Sequence, residues 1–205
     1  MGGVRVYLAS RSPRRRQLLA DAGVPFESGD SGVDDSRLKP GEVSPRQWVV
    51  SLAFLKASAG LGALVRSGFP GRWVVLGADT LVVQEDELLG QPIDETDAER
   101  MLRMLRDSRH EVLTGVAILD PRTGERDLFV DAARVAVGEL TDEQIRSYVA
   151  SGQWRGKAGA YNLDERLAAG WSVTCEGDPG TVMGLPVKKL LPRLSRMGVQ
   201  AGALA

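Results

Sequence analysis

The feature that most constrains the fold is an apolar segment near the N-terminus that leads directly into an arginine-rich helix start. Residues Val4 to Ala9 are mostly apolar and include β-branched and aromatic side chains, which predicts a strand. Ser12 is suited to an N-cap and Pro13 to the first position of a helix that we expect to reach Ala22. A strand that leads into a helix start is a typical α/β unit, and free N–H groups at a helix N-terminus favour an anion.

Further strand and helix signals follow along the first half of the chain. Residues Glu27 to Gly41 are polar and predict a loop, whereas Ser44-Pro45-Arg46-Gln47 is a capping box that opens a second helix. We expect that helix to reach about Ala59, before Gly60, with a linker at 61–72. Trp73 to Leu76 then predicts a buried strand ending in Gly77-Ala78-Asp79-Thr80, and Leu81 to Val83 a further short strand.

The second half mixes strands and helices. Its pattern predicts helices at Asp97–Asp107, at Thr141–Val149 and after Pro186. It predicts strands at Val112–Leu119 and Asp127–Val137, joined by a turn, and at Trp171–Glu176. The predicted class is therefore α/β or mixed α+β. We expect residues 1–205 to form one continuous domain, built of two lobes.

Composition excludes several classes of protein. The chain has 205 residues, 43% of them hydrophobic and 26% charged, which is ordinary globular composition. A net charge of −1 argues against a nucleic-acid binder, and no apolar run approaches a membrane span. With no secretory signal, we expect a cytoplasmic protein. One cysteine and one histidine leave carboxylates as the ligands for any metal, which would be a hard cation.

Two segments carry residues suited to chemistry. In Ser10-Arg11-Ser12-Pro13-Arg14-Arg15-Arg16, two hydroxyls, a helix N-terminus and several guanidinium groups coincide, which indicates an oxyanion cradle. The alternative is a solvated basic face. Asp79, at the predicted carboxyl end of a strand, could bind a divalent metal or accept a proton; the alternative is that it caps a turn. Asp34-Asp35 is a candidate partner carboxylate for a metal, although a solvated loop is the favoured interpretation of the pair alone. Lys56 is typical of an exposed lysine near a helix end, whereas Lys157 lies among small residues that allow a ligand to approach the backbone.

Five separated blocks resemble the Maf family of nucleoside triphosphate pyrophosphatases. They are Leu8-Ala9-Ser10-Arg11-Ser12-Pro13-Arg14-Arg15, Gly77-Ala78-Asp79-Thr80, His110 with Thr114-Gly115-Val116, Lys157-Ala158-Gly159-Ala160-Tyr161 and Val182-Met183-Gly184-Leu185-Pro186. The resemblance extends from Val4 to the C-terminal helix. It implies an αβα fold of the Maf/Ham1 type with a mixed sheet, a cleft between two lobes, and a homodimer.

The resemblance also implies an activity and its residues. The activity is hydrolysis of a nucleoside triphosphate to the monophosphate and pyrophosphate with a divalent cation, Mg²⁺ or else Mn²⁺. Asp79 would be the general base or a metal ligand, with Asp34 as a second metal-side acid. Phosphates would bind to Ser10, Arg14, Arg15, Lys56 and Lys157. No membrane or stable nucleic-acid partner is expected.

The chain departs from the family pattern at two places, and both leave the base preference open. Gln91 replaces the lysine of the family's Gly-Lys-Pro block, and Asn162-Leu163-Asp164 replaces Gly-Ile-Gln. Arg14 and Thr80 match the dTTP/UTP branch, whereas Asp164 can only accept hydrogen bonds from a base. A 7-methyl-GTP-like or other non-pyrimidine substrate is the alternative. A regulator of septum formation that binds nucleotides or nucleic acid without turnover is the alternative function.

Overall fold

The computed structural model of the protein describes residues 3–35 and 38–202. Its strands are β1 (Arg5–Ala9), β2 (Phe26–Gly29), β3 (Trp73–Gln84), β4 (Glu87–Leu89), β5 (Ser108–Leu119), β6 (Arg126–Val137) and β7 (Val173–Glu176). Its α-helices are α1 (Pro13–Asp21), α2 (Pro45–Ser67), α3 (Glu95–Leu105), α4 (Asp142–Ala150), α5 (Leu163–Ala168), α6 (Pro179–Met183) and α7 (Val187–Arg196). A 3₁₀ turn occupies Ala158–Ala160.

The strands form a mixed sheet in the order β2-β1-β3-β5-β6-β7, with β4 paired to β3. Strand β1 is parallel to both of its neighbours, and Val6 lies opposite Phe26 on one side and Val74 on the other. Strands β4 and β7 are antiparallel to β3 and β6. The mixed α/β class predicted from the sequence is confirmed.

Contacts divide the chain into two compact units. The first unit comprises 1–79, 114–131 and 184–205, and the second comprises 80–113 and 132–183. Each has its own apolar core: Leu8, Leu76 and Ile118 lie in the first, and Leu102, Ile145 and Trp154 in the second. The single domain expected from the sequence stays a prediction.

Helix α2 is longer than predicted, because Gly60 does not end it. A Cβ at Gly60 would lie 2.3 Å from the Cβ of Ala9 in β1, so the glycine allows the helix backbone to approach the strand. A Cβ at Gly77 in β3 would lie 2.4 Å from the Ala53 carbonyl oxygen of α2. The helix ends instead at Gly68, in the left-handed conformation with φ of 63°.

Helix α2 is also the one described helix that is long and apolar enough to cross a membrane. Its mean hydropathy over the most apolar window is 1.7, and 33% of that window is buried. Length and composition are weak grounds for a membrane assignment, and the close approaches to β1 and β3 are those of a helix packed on a sheet.

Two further predictions of secondary structure were wrong, and two helices were missed. Residues 27–29, predicted as loop, belong to β2, because their backbone pairs with β1. The predicted break at Gly77–Thr80 is absent, so Asp79 lies within the continuous strand β3 and not at a strand end. Helices α5 and α6 were not predicted.

Candidate active site

The arginine-rich loop of the first unit is held by its own serines. The Ser12 hydroxyl accepts from the Arg15 backbone N–H at 3.4 Å, which makes Ser12 the N-cap of α1 as predicted. The buried Ser10 hydroxyl accepts from the Ser12 N–H at 3.2 Å and from Arg15 Nη1 at 3.4 Å. Arg15 Nε donates to the Gly184 carbonyl oxygen at 2.8 Å. The Arg15 guanidinium is therefore fixed beside the helix start, where it can bind an anion.

A second group of charges in the same unit joins α2 to β3. The Lys56 ammonium donates to Asp79 Oδ1 and lies 2.6 Å from Asp35 Oδ2. The side chains are 16% exposed for Lys56, 11% for Asp79 and 33% for Asp35. The close packing of α2 at Gly77 explains this geometry, because it brings the helix turn that carries Lys56 next to the segment that carries Asp79.

The electrostatics of Asp79 suit a proton acceptor. Burial raises the pKa of Asp79, and the nearby Lys56 and Arg15 oppose that rise. Burial likewise lowers the pKa of Arg15, and Asp79 opposes that fall. The ionised carboxylate of Asp79 is thus held by its cationic neighbours, and proton affinity is higher than for an exposed aspartate.

The same residues fit a hard cation. The carboxylate oxygens of Asp35 and Asp79 both contact one cation in the structure, which is the ammonium of Lys56. Magnesium is commonly bound through one or two carboxylates together with substrate phosphates and water. Within residues 3–35 and 38–202 there is no group of three or more His, Cys, Asp or Glu that could hold a metal. Water and substrate oxygens would complete the coordination of a cation held by these two carboxylates.

The second unit contains another lysine–carboxylate pair. Lys157, just before the 3₁₀ turn, donates to Glu165 Oε2 in the first turn of α5. The Lys157 side chain is only 7% exposed, whereas the Glu165 side chain is 43% exposed. Asp164, the residue expected to face a base, is exposed, and Thr80 is half-buried in β3.

The structure therefore brings Ser10 and Arg15 together, and Lys56 and Asp79 together. Arg14 is half-buried in the first turn of α1, and Asp34 is exposed. Asp35 was named from the sequence only within the Asp34-Asp35 pair, and the carboxylate of Glu165 was missed. Glu165 had no signal in the sequence, because its contact with Lys157 depends on the path of the intervening chain.

The fold and these charges define an α/β protein with an arginine-rich helix start and a buried carboxylate in the same unit. The family model for "Maf-like protein" matches residues 5–197, and the chain belongs to this family. A relative from Geobacillus sp. (strain WCH70) is 42% identical over 194 residues, which are 95% of this chain and 98% of the relative. One from Geotalea uraniireducens (strain Rf4) is 44% identical over 94% of this chain and 95% of the relative. Both relatives are named dTTP/UTP pyrophosphatase.

Proposed function

We propose that this protein hydrolyses nucleoside triphosphates to the monophosphate and pyrophosphate, and so removes surplus or non-canonical nucleotides. The observation that carries the proposal is the buried Asp79 held by Lys56 in the same unit as the Ser10–Arg15 helix start. A water-activating carboxylate and phosphate-binding cations are what such a hydrolysis requires. Relatives that this chain matches over almost its whole length are named for the same reaction.

In this proposal the residues of the first unit divide the work. Asp79 accepts the proton of the attacking water at its carboxylate, which its raised proton affinity favours. Ser10, Arg14 and Arg15 bind phosphate oxygens, and Lys56 offsets the charge of the Asp79 carboxylate and of the phosphates. Asp79 and Asp35 would hold a divalent cation, with the exposed Asp34 beside them. When bound, that cation, Mg²⁺ or else Mn²⁺, would neutralise phosphate charge.

Of the second unit, we propose Lys157 as a further phosphate-binding cation and Thr80 and Asp164 as substrate contacts. We place dTTP and UTP first, since the relatives carry that name and Arg14 and Thr80 match that branch. The family resemblance further supports a cytoplasmic homodimer without a stable nucleic-acid partner, and these remain part of the proposal.

The test is a nucleotide panel with the purified protein and Mg²⁺, scored by release of pyrophosphate rather than of orthophosphate. We expect dTTP and UTP to give the fastest release, and EDTA to abolish it. Orthophosphate as the first product would place cleavage at a different bond and overturn the proposal. Tight nucleotide binding without any turnover would favour the alternative of a non-catalytic regulator.

A further inference from the structure

The Lys157–Glu165 pair of the second unit differs from an ordinary surface ion pair in its burial. The ammonium is 7% exposed, so it has lost most of its hydration, whereas the carboxylate is 43% exposed and keeps much of its own. A buried ammonium needs an anionic partner, because burial of an uncompensated charge is costly. Glu165 supplies that partner in the structure described here.

The lysine is held in place by the loop that follows it. Gly159 and Ala160 are both left-handed, with φ of 66° and 68°, and an alanine in that conformation is strained. The Gly159 N–H donates to the Gly90 carbonyl oxygen at 3.0 Å, and the Tyr148 hydroxyl donates to the Ala160 carbonyl oxygen at 2.9 Å. These two hydrogen bonds anchor the loop, and they therefore also hold the backbone of the adjacent Lys157 in place.

The helix that carries Glu165 is anchored independently. The Asn162 side chain caps α5 by accepting from the Glu165 N–H at 3.0 Å. Arg166 is buried with its guanidinium carbon 4.2 Å from the Tyr148 ring centroid and 5.1 Å from that of Trp171. The backbone of Glu165 is thus held, while its side chain ends in a half-exposed carboxylate that can rotate into solvent when another anion takes its place beside Lys157.

We infer that Glu165 is a resident anion that occupies Lys157 until a phosphate group of the substrate displaces it, and that it thereby sets the affinity of the protein for polyphosphates. The exposed carboxylate of Glu165 can move into solvent, whereas the buried ammonium of Lys157 must remain paired with an anion. The inference deepens the proposed function and rests on it for the identity of the displacing anion.

The test measures binding rather than turnover. Inorganic pyrophosphate and tripolyphosphate are titrated by calorimetry into the wild type and Glu165→Gln, at one fixed ionic strength. We expect Glu165→Gln to bind both probes about fivefold more tightly, because the competing carboxylate is gone. Glu165→Asp, whose carboxylate is one methylene shorter, should bind with intermediate affinity.

Two controls separate displacement from general electrostatics. Glu143→Gln removes the same charge from an exposed first-turn position of α4 and should leave the dissociation constants within about twofold. In a Lys157→Met background, Glu165→Gln should give no gain, since the ammonium for which the anions compete is absent. Circular dichroism checks that each variant is folded.

Several outcomes overturn the inference: unchanged or weaker binding by Glu165→Gln, an equal gain in Glu143→Gln, a gain that persists without Lys157, or no binding of either probe. Nucleotide hydrolysis with no gain in affinity rejects this inference alone. A gain in affinity without hydrolysis of any nucleotide rejects the proposed function and retains the role of Glu165.

Discussion

The two units each contain a lysine–carboxylate pair, and the two pairs differ in the burial of the carboxylate. In the first unit the carboxylate of Asp79 is the most buried member, and Lys56 contacts both Asp79 and the more exposed Asp35. In the second unit the ammonium of Lys157 is buried and its partner Glu165 is half-exposed. An ammonium and a carboxylate can therefore have different roles in the two units.

The two pairs differ in which charge would be buried without a partner if the other residue were removed. Without Lys56, the ionised Asp79 would be an unpaired buried anion, so Lys56 stabilises the ionised form of this proton acceptor. Without Glu165, Lys157 would be an unpaired buried cation, and its binding of another anion would be favoured. We therefore expect removal of a charge in the first unit to change turnover, and variants of the second unit to change stability, affinity and substrate choice.

The largest expected effect is that of Asp79→Asn. The amide preserves the shape of the side chain but cannot accept the proton of water and is a poorer ligand for a cation. We expect turnover to fall about 10³-fold, with folding and much of the nucleotide binding retained. Pyrophosphate release under saturating substrate measures the loss, and near-normal turnover would refute the assignment of Asp79.

A second effect concerns the stability of the second unit at low pH. His110 Nε2 lies 2.7 Å from the Tyr161 hydroxyl, and burial lowers the pKa of His110 from 6.5 to about 4. The unfolded chain keeps the ordinary pKa. Stability is therefore fully present above pH 6.5 and is lost as the pH falls towards 4.

The loss attributable to His110 should be roughly 3 kcal/mol. It is measured as the difference between wild type and His110→Gln in urea unfolding at pH 7 and pH 4. Carboxylates titrate in both proteins, so the comparison isolates the single histidine. Parallel pH profiles for the two proteins would show that His110 does not bind its proton on unfolding.

The third prediction addresses the helix start of the first unit. Arg15→Ala removes a guanidinium that is fixed by Ser10 and Gly184, and we expect kcat/KM to fall about 10²-fold. Arg16→Ala, the exposed neighbour on α1, is the matched control and should change kcat/KM by less than about threefold. Equal effects of the two variants would mean that only the net charge of this face matters.

The fourth prediction tests the close packing of α2 on β3, which brings Lys56 next to Asp79. Gly77→Ala would place a Cβ 2.4 Å from the Ala53 carbonyl oxygen, so helix and strand must separate. We expect a loss of about 2 kcal/mol in the free energy of unfolding. Gly62→Ala is the control, because the new Cβ would meet only the flexible Arg66 side chain, at 3.3 Å, and alanine favours a helix. Similar stabilities for the two variants would contradict the packing argument.

Features set by neighbouring residues were predictable from the sequence, and those set by distant ones were not. The capping boxes Ser44–Gln47 and Thr141–Gln144 are both present, because each depends on four consecutive residues. Gly60 suggested a helix end, but its role is contact with β1, more than 50 residues earlier in the chain. Strand β2 was missed because its stability comes from pairing with β1 and not from its own composition.

The same division holds for the candidate site. Ser10, Arg15 and Asp79 stand in short motifs, so their family resemblance identified them. Asp35 was named only within the Asp34-Asp35 pair, and its contact with Lys56, like that of Glu165 with Lys157, became apparent only in the structure. A charge partner across a loop is chosen by the path of the chain, which the sequence pattern does not reveal.

The smallest expected effect sharpens the comparison within α5, where Asp164 and Glu165 are adjacent. Glu165 contacts Lys157, whereas Asp164 is exposed. If Asp164 reads the base, its acceptor-only carboxylate disfavours the O4 carbonyl of uracil or thymine, and a glutamine can donate to that atom. Asp164→Gln should then raise the kcat/KM ratio of dTTP over dCTP by about threefold to tenfold, the value of one hydrogen bond.

Glu165→Gln should instead tighten the binding of every triphosphate in the panel without reordering it, because phosphate is common to all of them. A panel ranking that is unchanged in Asp164→Gln and altered in Glu165→Gln would reverse the two assignments and make Glu165 the residue that discriminates between bases.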